Sequence, residues 1–135
     1  MPGKAFFDTS VLIYILKEGD PRSEIAAEFL TAGGVLSVQV LNEFANVARR
    51  KLGLTWEQIE EALVSIRDLC APAAAVTVAT HTAALKIAKR YGFQIYDSLI
   101  LASALETDCS VLYSEDLQHG QKIDSLTVQN PFRSS

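Results

Sequence analysis

Short apolar segments alternate along the chain with longer segments of helical periodicity. The apolar runs predict strands at residues 4–7, 35–38, 75–78 and 110–113, with a further edge strand at 127–128. The periodic segments predict helices over residues 11–17, 21–31, 39–52, 55–69 and 80–91, and a last helix that begins at Asp97. Strands that alternate with helices are typical of parallel crossover units. We therefore predict an α/β fold, a sandwich with helices on both faces of a mostly parallel sheet.

Polar residues and glycines mark several of the predicted helix ends. Thr55 and Gln58 have the spacing of a capping box, in which a threonine and a glutamine three positions later each bond the other's backbone. Thr80 is the predicted cap of the helix that ends near Tyr91, where Gly92 follows.

The composition indicates one globular domain over residues 1–135. Hydrophobic residues make up 49% of the chain, which is enough for a sizeable core, and no apolar run approaches the ~20 residues of a membrane span. No signal peptide is evident at the start, so we expect a soluble, cytoplasmic protein without a membrane partner. The net charge of −4 argues mildly against a broad basic surface, and it also permits a carboxylate cluster that needs a cation.

Three aspartates share one sequence context. Asp8 follows the first predicted strand directly, Asp116 follows the strand at 110–113, and Asp97 opens an apolar helix. Since the carboxyl ends of parallel strands meet at one edge of a sheet, these side chains are candidates for a common site. For each of them a helix N-cap remains the alternative. That alternative is weakest for Asp97. Its helix is apolar nearly all round and is therefore expected to be buried. The residues three and four positions later, Ile100 and Leu101, offer no cation to pair with the buried charge.

Glu43 is a fourth candidate, and it lies inside a predicted helix, where it cannot be an N-cap. At about 100° per residue it falls about 40° beyond Val47, on the edge of the apolar face. A solvated boundary glutamate is the simpler interpretation, and participation in the site is the other. Four carboxylates that meet would repel one another unless a cation joins them. Mg²⁺ and Mn²⁺ prefer such hard oxygen ligands, and they assist chemistry on phosphate esters.

Four segments that contain these acids resemble one known family. They read FFDTSVLIY at 6–14, VLNEFANV at 40–47, IYDSLILASAL at 95–105 and VLYSEDLQHG at 111–120. In this order they are similar to PIN-domain ribonucleases, in particular to the compact toxins of VapBC-type toxin–antitoxin pairs. The resemblance extends over essentially the whole chain.

The resemblance implies a three-layer α/β/α sandwich that binds Mg²⁺ or Mn²⁺ and cleaves RNA. It assigns the metal-binding and catalytic roles to Asp8, Glu43, Asp97 and Asp116. It gives Ser10 and Ser114 supporting hydrogen bonds. Glu115 adjoins Asp116 and is a second candidate there, although Asp116 holds the family's position. The resemblance also implies an antitoxin partner and a homodimer.

Two basic groups are candidate contacts for RNA phosphates. They are Arg49, Arg50 and Lys51 at the end of one helix, and Lys86, Lys89 and Arg90 at the end of another. Solvated charges that complement the helix dipole are an equally good interpretation of both groups. His81 and His119 are expected to be surface or capping residues.

Two other functions compete with a ribonuclease. One is a PIN-like module that binds RNA or protein with weak or no catalysis, through apolar surface around Tyr14, Ile15, Phe29 and Leu30. The other is a haloacid-dehalogenase phosphatase, which also has an aspartate after its first strand. That family needs a second aspartate two positions later, where this chain has Ser10.

Overall fold

A computed structural model describes residues 4–133. The strands are β1 (Ala5–Phe7), β2 (Val111–Tyr113), β3 (Lys122–Ile123) and β4 (Leu126–Gln129). The helices are α1 (Thr9–Leu12), which continues into a 3₁₀ turn (Ile13–Leu16), α2 (Pro21–Thr31), α3 (Val38–Arg50), α4 (Trp56–Asp68), α5 (Val78–Tyr91) and α6 (Ile95–Glu106).

The four strands form one mostly parallel sheet in the order β1-β2-β4-β3. Phe6 in β1 lies opposite Leu112 in β2, and Leu112 lies opposite Val128 in β4, with both pairs of strands parallel. The short strand β3 pairs with β4 in the antiparallel sense. Together with the helices packed against it, this sheet confirms the predicted α/β sandwich.

Several strand predictions are wrong in detail. The run at 35–38 contributes only isolated parallel bridges, Phe6 to Val35 and Ser37 to Ala74, because α3 begins at Val38. The run at 75–78 forms neither a strand nor a bridge, since the partner of Ser37 is Ala74, just before it, and α5 begins at Val78. The predicted edge strand at 127–128 is instead an interior strand, β4, and the edge beside it is formed by β3, which was not predicted.

The helix boundaries follow the capping chemistry. Thr55 and Gln58 form the predicted capping box at the start of α4. At the start of α5 the cap is Thr77 rather than Thr80, and the Thr80 hydroxyl completes that capping box from inside the helix. Helix α6 begins at Ile95, with Gln94 at the cap position, so Asp97 lies in its first turn and does not begin it.

The core lies between the sheet and the surrounding helices. Phe6, Phe7, Phe44 and Leu112 are fully buried, and residues 98–104 of α6 are buried without interruption. Helix α5 packs along α6, which shields that apolar helix from solvent. No helix within residues 4–133 has the length and apolar character needed to cross a membrane.

Part of the expected partner surface belongs to the core. Tyr14 and Leu30 are 6% and 3% exposed, whereas Ile15 and Phe29 are only partly buried against the core. The first two side chains therefore hold the early helices against the sheet, and they are not free to receive another protein.

Candidate active site

Asp8 lies at the carboxyl end of β1, and its side chain is only 4% exposed. It occupies the cap position of α1, but its carboxylate makes no capping hydrogen bond. Instead, Oδ2 accepts hydrogen bonds from the hydroxyls of Ser10 and Ser114, both at 2.8 Å. The interpretation of Asp8 as a side-chain N-cap is therefore wrong, since two hydroxyls hold the carboxylate in place.

The environment of Asp8 disfavours its negative charge. Burial raises the pKa of the Asp8 carboxyl from 3.8 to about 6; the bonds from Ser10 and Ser114 oppose that rise, and the charges of Asp116 and Asp97 add to it. Within residues 4–133 no side chain or backbone group donates a hydrogen bond to Oδ1. Asp8 therefore presents one oxygen that is available to a cation.

Ser114 joins the end of β2 to the end of β1. Its hydroxyl donates to Asp8 and accepts from the backbone N–H groups of Asp116 at 3.2 Å and Leu117 at 3.3 Å. The Ser10 hydroxyl likewise accepts from the N–H of Glu115 at 3.0 Å. These bonds fix the segment after β2 beside Asp8, although Asp8 and Asp116 are far apart in sequence.

Glu43 reaches the same region from the middle of α3. Its Oε1 accepts a 3.2 Å hydrogen bond from the Thr9 hydroxyl, and its Oε2 accepts a 2.9 Å bond from the side-chain amide of Gln39. The residue is half-buried, as the helical periodicity predicted. These two bonds orient the carboxylate, and a freely solvated glutamate would have neither of them.

Asp97 and Asp116 complete the acidic set. Oδ2 of Asp97 accepts a 3.2 Å bond from the side-chain amide of Gln94, one turn earlier in the chain. Partial burial raises the pKa of Asp116, with further contributions from the charges of Asp97 and Glu115, and the nearby charge of Lys51 opposes the rise. Asp97 therefore influences the ionisation of both Asp8 and Asp116.

The four acids line a single cleft of about 290 Å³. Its other polar walls come from Thr9, Ser10, Lys17, Lys51 and Glu115. Within residues 4–133, no three acidic, histidine or cysteine side chains are close enough to hold one ion among them. Mg²⁺ commonly takes only one or two protein carboxylates and keeps several waters, so this arrangement suits that type of binding rather than a closed protein cage.

Glu115 faces different partners from its neighbour Asp116. One oxygen accepts from the Tyr14 hydroxyl, and the other accepts from Arg22 at 3.3 Å. The guanidinium of Arg22 also lies over the Tyr14 ring, 4.3 Å from its centroid. Burial, followed by the contact with Glu115, raises the pKa of Tyr14 to about 12. Both oxygens of Glu115 are thus engaged at the rim, while Asp116 has no such partners within residues 4–133.

The basic residues divide into those near the acids and those elsewhere. Lys51 lines the acidic cleft, and Arg50 lies with it along a small adjoining groove. Arg49 instead donates a 2.9 Å bond to the carbonyl of Leu54 and lies over the Trp56 ring.

The second basic group lies outside the acidic cleft. Arg90 is 3.5 Å from Asp124, and neither it nor Lys86 nor Lys89 is among the residues that line the cleft. His119 accepts a 3.0 Å bond from the backbone of Asn130, and His81 is exposed on α5. Both histidines therefore occupy surface or capping positions.

Sequence patterns alone did not assign Thr9, Gln39, Tyr14 or Lys17 to the acidic site. Thr9 lies inside the Asp-Thr-Ser motif and Gln39 lies one helical turn before Glu43, so those spacings could have suggested that each would orient an acid. The positions of Tyr14 and Lys17 on the cleft wall depend on the turn that follows α1, for which we find no sequence signal.

The chain matches a known protein family over most of its length. The model of the PIN domain matches residues 5–122, which include all four acids. A comparison with curated protein sequences finds no significant match.

Solved structures of low sequence identity share the fold. A toxin–antitoxin complex from Klebsiella pneumoniae has a TM-score of 0.72 at 19% identity, covering 97% of this chain and 100% of that one. VapC20 of Mycobacterium tuberculosis, a sarcin–ricin-loop-cleaving toxin, has a TM-score of 0.68 at 19% identity, covering 84% and 90%. VapBC2 of Rickettsia felis, bound to a promoter DNA fragment, has a TM-score of 0.68 at 16% identity, covering 93% and 97%.

Proposed function

Because the chain belongs to the PIN-domain family, we propose that it is an endoribonuclease that depends on Mg²⁺ or Mn²⁺ and acts as the toxin of a toxin–antitoxin pair. One observation carries the proposal. The buried carboxylate of Asp8 turns one oxygen to two serine hydroxyls and leaves the other available in a cleft that it shares with Glu43, Asp97 and Asp116. A fold gains no stability from such a buried charge, so the arrangement favours a functional role.

The donor set suits a hard divalent cation. PIN-domain nucleases generally use divalent metals, and every acid in this cleft offers carboxylate oxygens, which Mg²⁺ and Mn²⁺ prefer. In the proposal, Asp8 and Asp116 bind the metal most directly, since Ser114 holds both segments together. Glu43 and Asp97 bind the metal through its waters.

A bound divalent metal would supply a water of lowered pKa and would offset the negative charge that develops on a phosphodiester. The protein's own residues would position that chemistry. Ser10 and Ser114 fix the rotamer of Asp8, and Thr9 and Gln39 fix that of Glu43. These bonds keep the carboxylates oriented before substrate arrives, which reduces the reorganisation needed at the reaction step.

The substrate would reach the acids past a small number of cations. Lys17 and Lys51 lie on the wall of the acidic cleft, and Arg50 extends this positive edge along α3. We propose these three residues as phosphate contacts. Lys86, Lys89 and Arg90 lie away from the cleft, so they are not among the proposed contacts.

The toxin role rests on the structural relatives. Two of the similar structures are complexes of toxins with their antitoxins, and one of these is bound to DNA. By analogy, we propose that an antitoxin binds this chain and covers the acidic cleft, and that the chain forms a homodimer.

A cleavage assay tests the enzymatic part. The purified protein, free of any partner, is incubated with total tRNA and rRNA in Mg²⁺, in Mn²⁺ and in EDTA, beside an Asp8→Asn variant. We expect fragments only from the wild type with a divalent metal. If RNA is bound without metal-dependent cleavage, the chain is a binding module instead, and if the Asp8→Asn variant cleaves equally well, the assigned site is wrong.

A further inference from the structure

A second cavity adjoins the acidic cleft and differs from it in chemistry. It has a volume of about 470 Å³ and shares Glu43, Asp97 and Asp116 with the cleft. Its remaining walls are four side-chain amides and one aromatic ring, from Gln39, Asn42, Asn46, Gln94 and Tyr96. We refer to this cavity as the amide pocket. The volume falls in the range of ordinary small-ligand sites.

Two of the four amides are committed to the acids, and two are not. Gln39 and Gln94 each donate a side-chain N–H to an acid, Glu43 and Asp97 respectively. Asn42 and Asn46 lie one helical turn apart on α3, are exposed, and make no side-chain hydrogen bond to any residue between 4 and 133. Each of these asparagines therefore offers an adjacent donor and acceptor to a ligand.

Tyr96 supplies an aromatic surface beside these amides. The residue is 56% exposed, although it lies in the first turn of the otherwise buried helix α6, directly before Asp97. An exposed tyrosine that neighbours free amides has the features of a nucleobase site, in which the ring stacks on the base and the amides bond its edge.

We propose that the amide pocket binds an unpaired nucleobase next to the phosphodiester that is cleaved, with a preference for adenine. The inference rests on the proposed ribonuclease function and deepens it by naming the recognition site. An asparagine amide complements the N6 donor and N7 acceptor of adenine, and a purine covers more of the Tyr96 ring than a pyrimidine does. An unpaired base is required because in an RNA duplex the faces of the bases are stacked, and N6 and N7 of adenine lie in a deep, narrow major groove that side chains cannot read.

The geometry also gives the bound strand a path. Asn46 belongs to both the amide pocket and the small groove that contains Arg50 and Lys51. A strand whose base enters the amide pocket would therefore place its adjoining phosphates beside the acids and these two cations.

Binding measurements separate the stacking contact from the amide contacts. Fluorescence anisotropy is measured with labelled single-stranded oligo-A, single-stranded oligo-U and an RNA duplex, with Mg²⁺ present, in an Asp8→Asn background that does not consume the RNA. We expect oligo-A to bind more tightly than oligo-U, and the duplex to bind most weakly.

The pocket variants are Tyr96→Leu, Tyr96→Phe, Asn42→Ala and Asn46→Ala. Tyr96→Leu should weaken the binding of both single strands about fivefold or more, because an aromatic ring stacks on any base. Tyr96→Phe keeps the ring and should bind both strands like the parent. Asn42→Ala and Asn46→Ala should weaken the binding of oligo-A by about fivefold or more. They should also reduce the difference in affinity between oligo-A and oligo-U. Val64→Ala, an exposed apolar truncation on α4 outside both cavities, should change neither affinity.

Two further measurements keep the outcomes distinct. Mn²⁺ titration of the pocket variants, made in the wild-type background, should give the metal affinity of the wild type. A loss of RNA binding is then not caused by a loss of metal binding. If the wild type cleaves RNA but the pocket variants bind both single strands as the parent does, the amide pocket has no such role. If the wild type fails to cleave while the variants lose RNA binding as described, the pocket proposal stands and the ribonuclease proposal fails.

Discussion

The hydroxyl of Ser114 donates a 2.8 Å hydrogen bond to Oδ2 of Asp8, across 106 positions of sequence. The two residues follow the neighbouring parallel strands β2 and β1, so the bond closes the end of the sheet at which the acids gather. It also favours the charged form of a carboxylate that burial disfavours. The predictions below begin with this pair.

Replacing Asp8 with asparagine should stabilise the metal-free protein at neutral pH. The amide oxygen can still accept from both serines, while the buried charge is removed. A pKa raised from 3.8 to about 6 corresponds to about 3 kcal/mol of unfolding free energy. Because the pKa of Asp8 is higher in the folded state, the free energy of unfolding of the wild type is lowered by this amount above pH 6. The reduction disappears below pH 4, near the pKa of the unfolded chain.

Denaturant unfolding in EDTA at pH 7.5 and pH 4 measures this difference. Asp8→Asn should be the more stable protein at pH 7.5 and nearly equal to the wild type at pH 4. Glu60→Gln, at an exposed position on α4, serves as the charge-matched control and should have little effect at either pH. Equal stabilities of Asp8→Asn and wild type at pH 7.5 would show that the buried charge carries no cost.

Ser114→Ala should destabilise the fold by about 1–3 kcal/mol, because it removes a donor to a buried carboxylate and an acceptor for two backbone N–H groups. It should also move the acidic limb of the cleavage profile to higher pH, since Asp8 loses a bond that lowers its pKa. Thermal denaturation and a pH–rate series measure the two effects.

The chain offers a matched control for that substitution. Ser103 is as fully buried as Ser114, but its hydroxyl has no hydrogen-bond partner among the described residues. Ser103→Ala should therefore leave stability unchanged or raise it slightly. A similar loss in both variants would mean that burial of a serine, rather than the bond to Asp8, accounts for the effect.

The adjacent acids Glu115 and Asp116 should differ sharply in their importance for cleavage. Asp116→Asn should lower kcat by roughly 100-fold or more if the residue binds the metal. Glu115→Gln should retain most activity, because its carboxylate is engaged by Tyr14 and Arg22 at the rim. Its half-exposed ion pair with Arg22 should contribute less than about 1 kcal/mol to stability. The reverse order of activities would transfer the assigned role to Glu115.

Metal affinity should depend on pH through Asp8. Protons compete with the metal for this carboxylate, so Mn²⁺ affinity should fall by up to about tenfold for each pH unit below about 6 and level off above it. Calorimetric titration between pH 5 and pH 7.5 measures the dependence, with Asp8→Asn as the variant that should lose it. An affinity that is constant over this range would place the metal away from Asp8.

Lys51→Ala should weaken single-stranded RNA binding and reduce the slope of log affinity against log salt by about 0.7. It should also raise the pKa of Asp116 further, because the charge of Lys51 opposes that rise. Lys86→Ala removes the same charge from α5, outside the cleft, and should bind RNA as the wild type does. Equal losses in both variants would indicate a diffuse electrostatic contribution instead of a local contact.

Local sequence chemistry predicted some elements of the fold well. The capping box at Thr55 and Gln58 and the half-buried position of Glu43 depend on residues three to four positions apart, and both agree with the structure. Helical periodicity and capping signals act over such distances, so a single sequence contains the information needed to find them.

The errors arose where a distant partner decides the outcome. The bridges at Val35 and Ala74 and the two-residue strand β3 exist only because a neighbouring chain segment is in place to pair with them. The capping role assigned to Thr80 failed for a local reason instead, because Thr77, three positions earlier, has the same chemistry. The amide pocket could not be predicted either, since it depends on how α3 and α6 lie beside each other.

The pairing of β1 with β2 also sets an order in time. β1 is synthesised before its neighbour β2 and before Asp116, which both follow it by more than 100 positions in the sequence. A nascent chain that has not yet exposed residues 111–116 outside the ribosome lacks both the strand beside β1 and one of the four acids. Assembly of the four-acid cleft therefore waits until residues 111–116 have been synthesised and β2 has paired with β1.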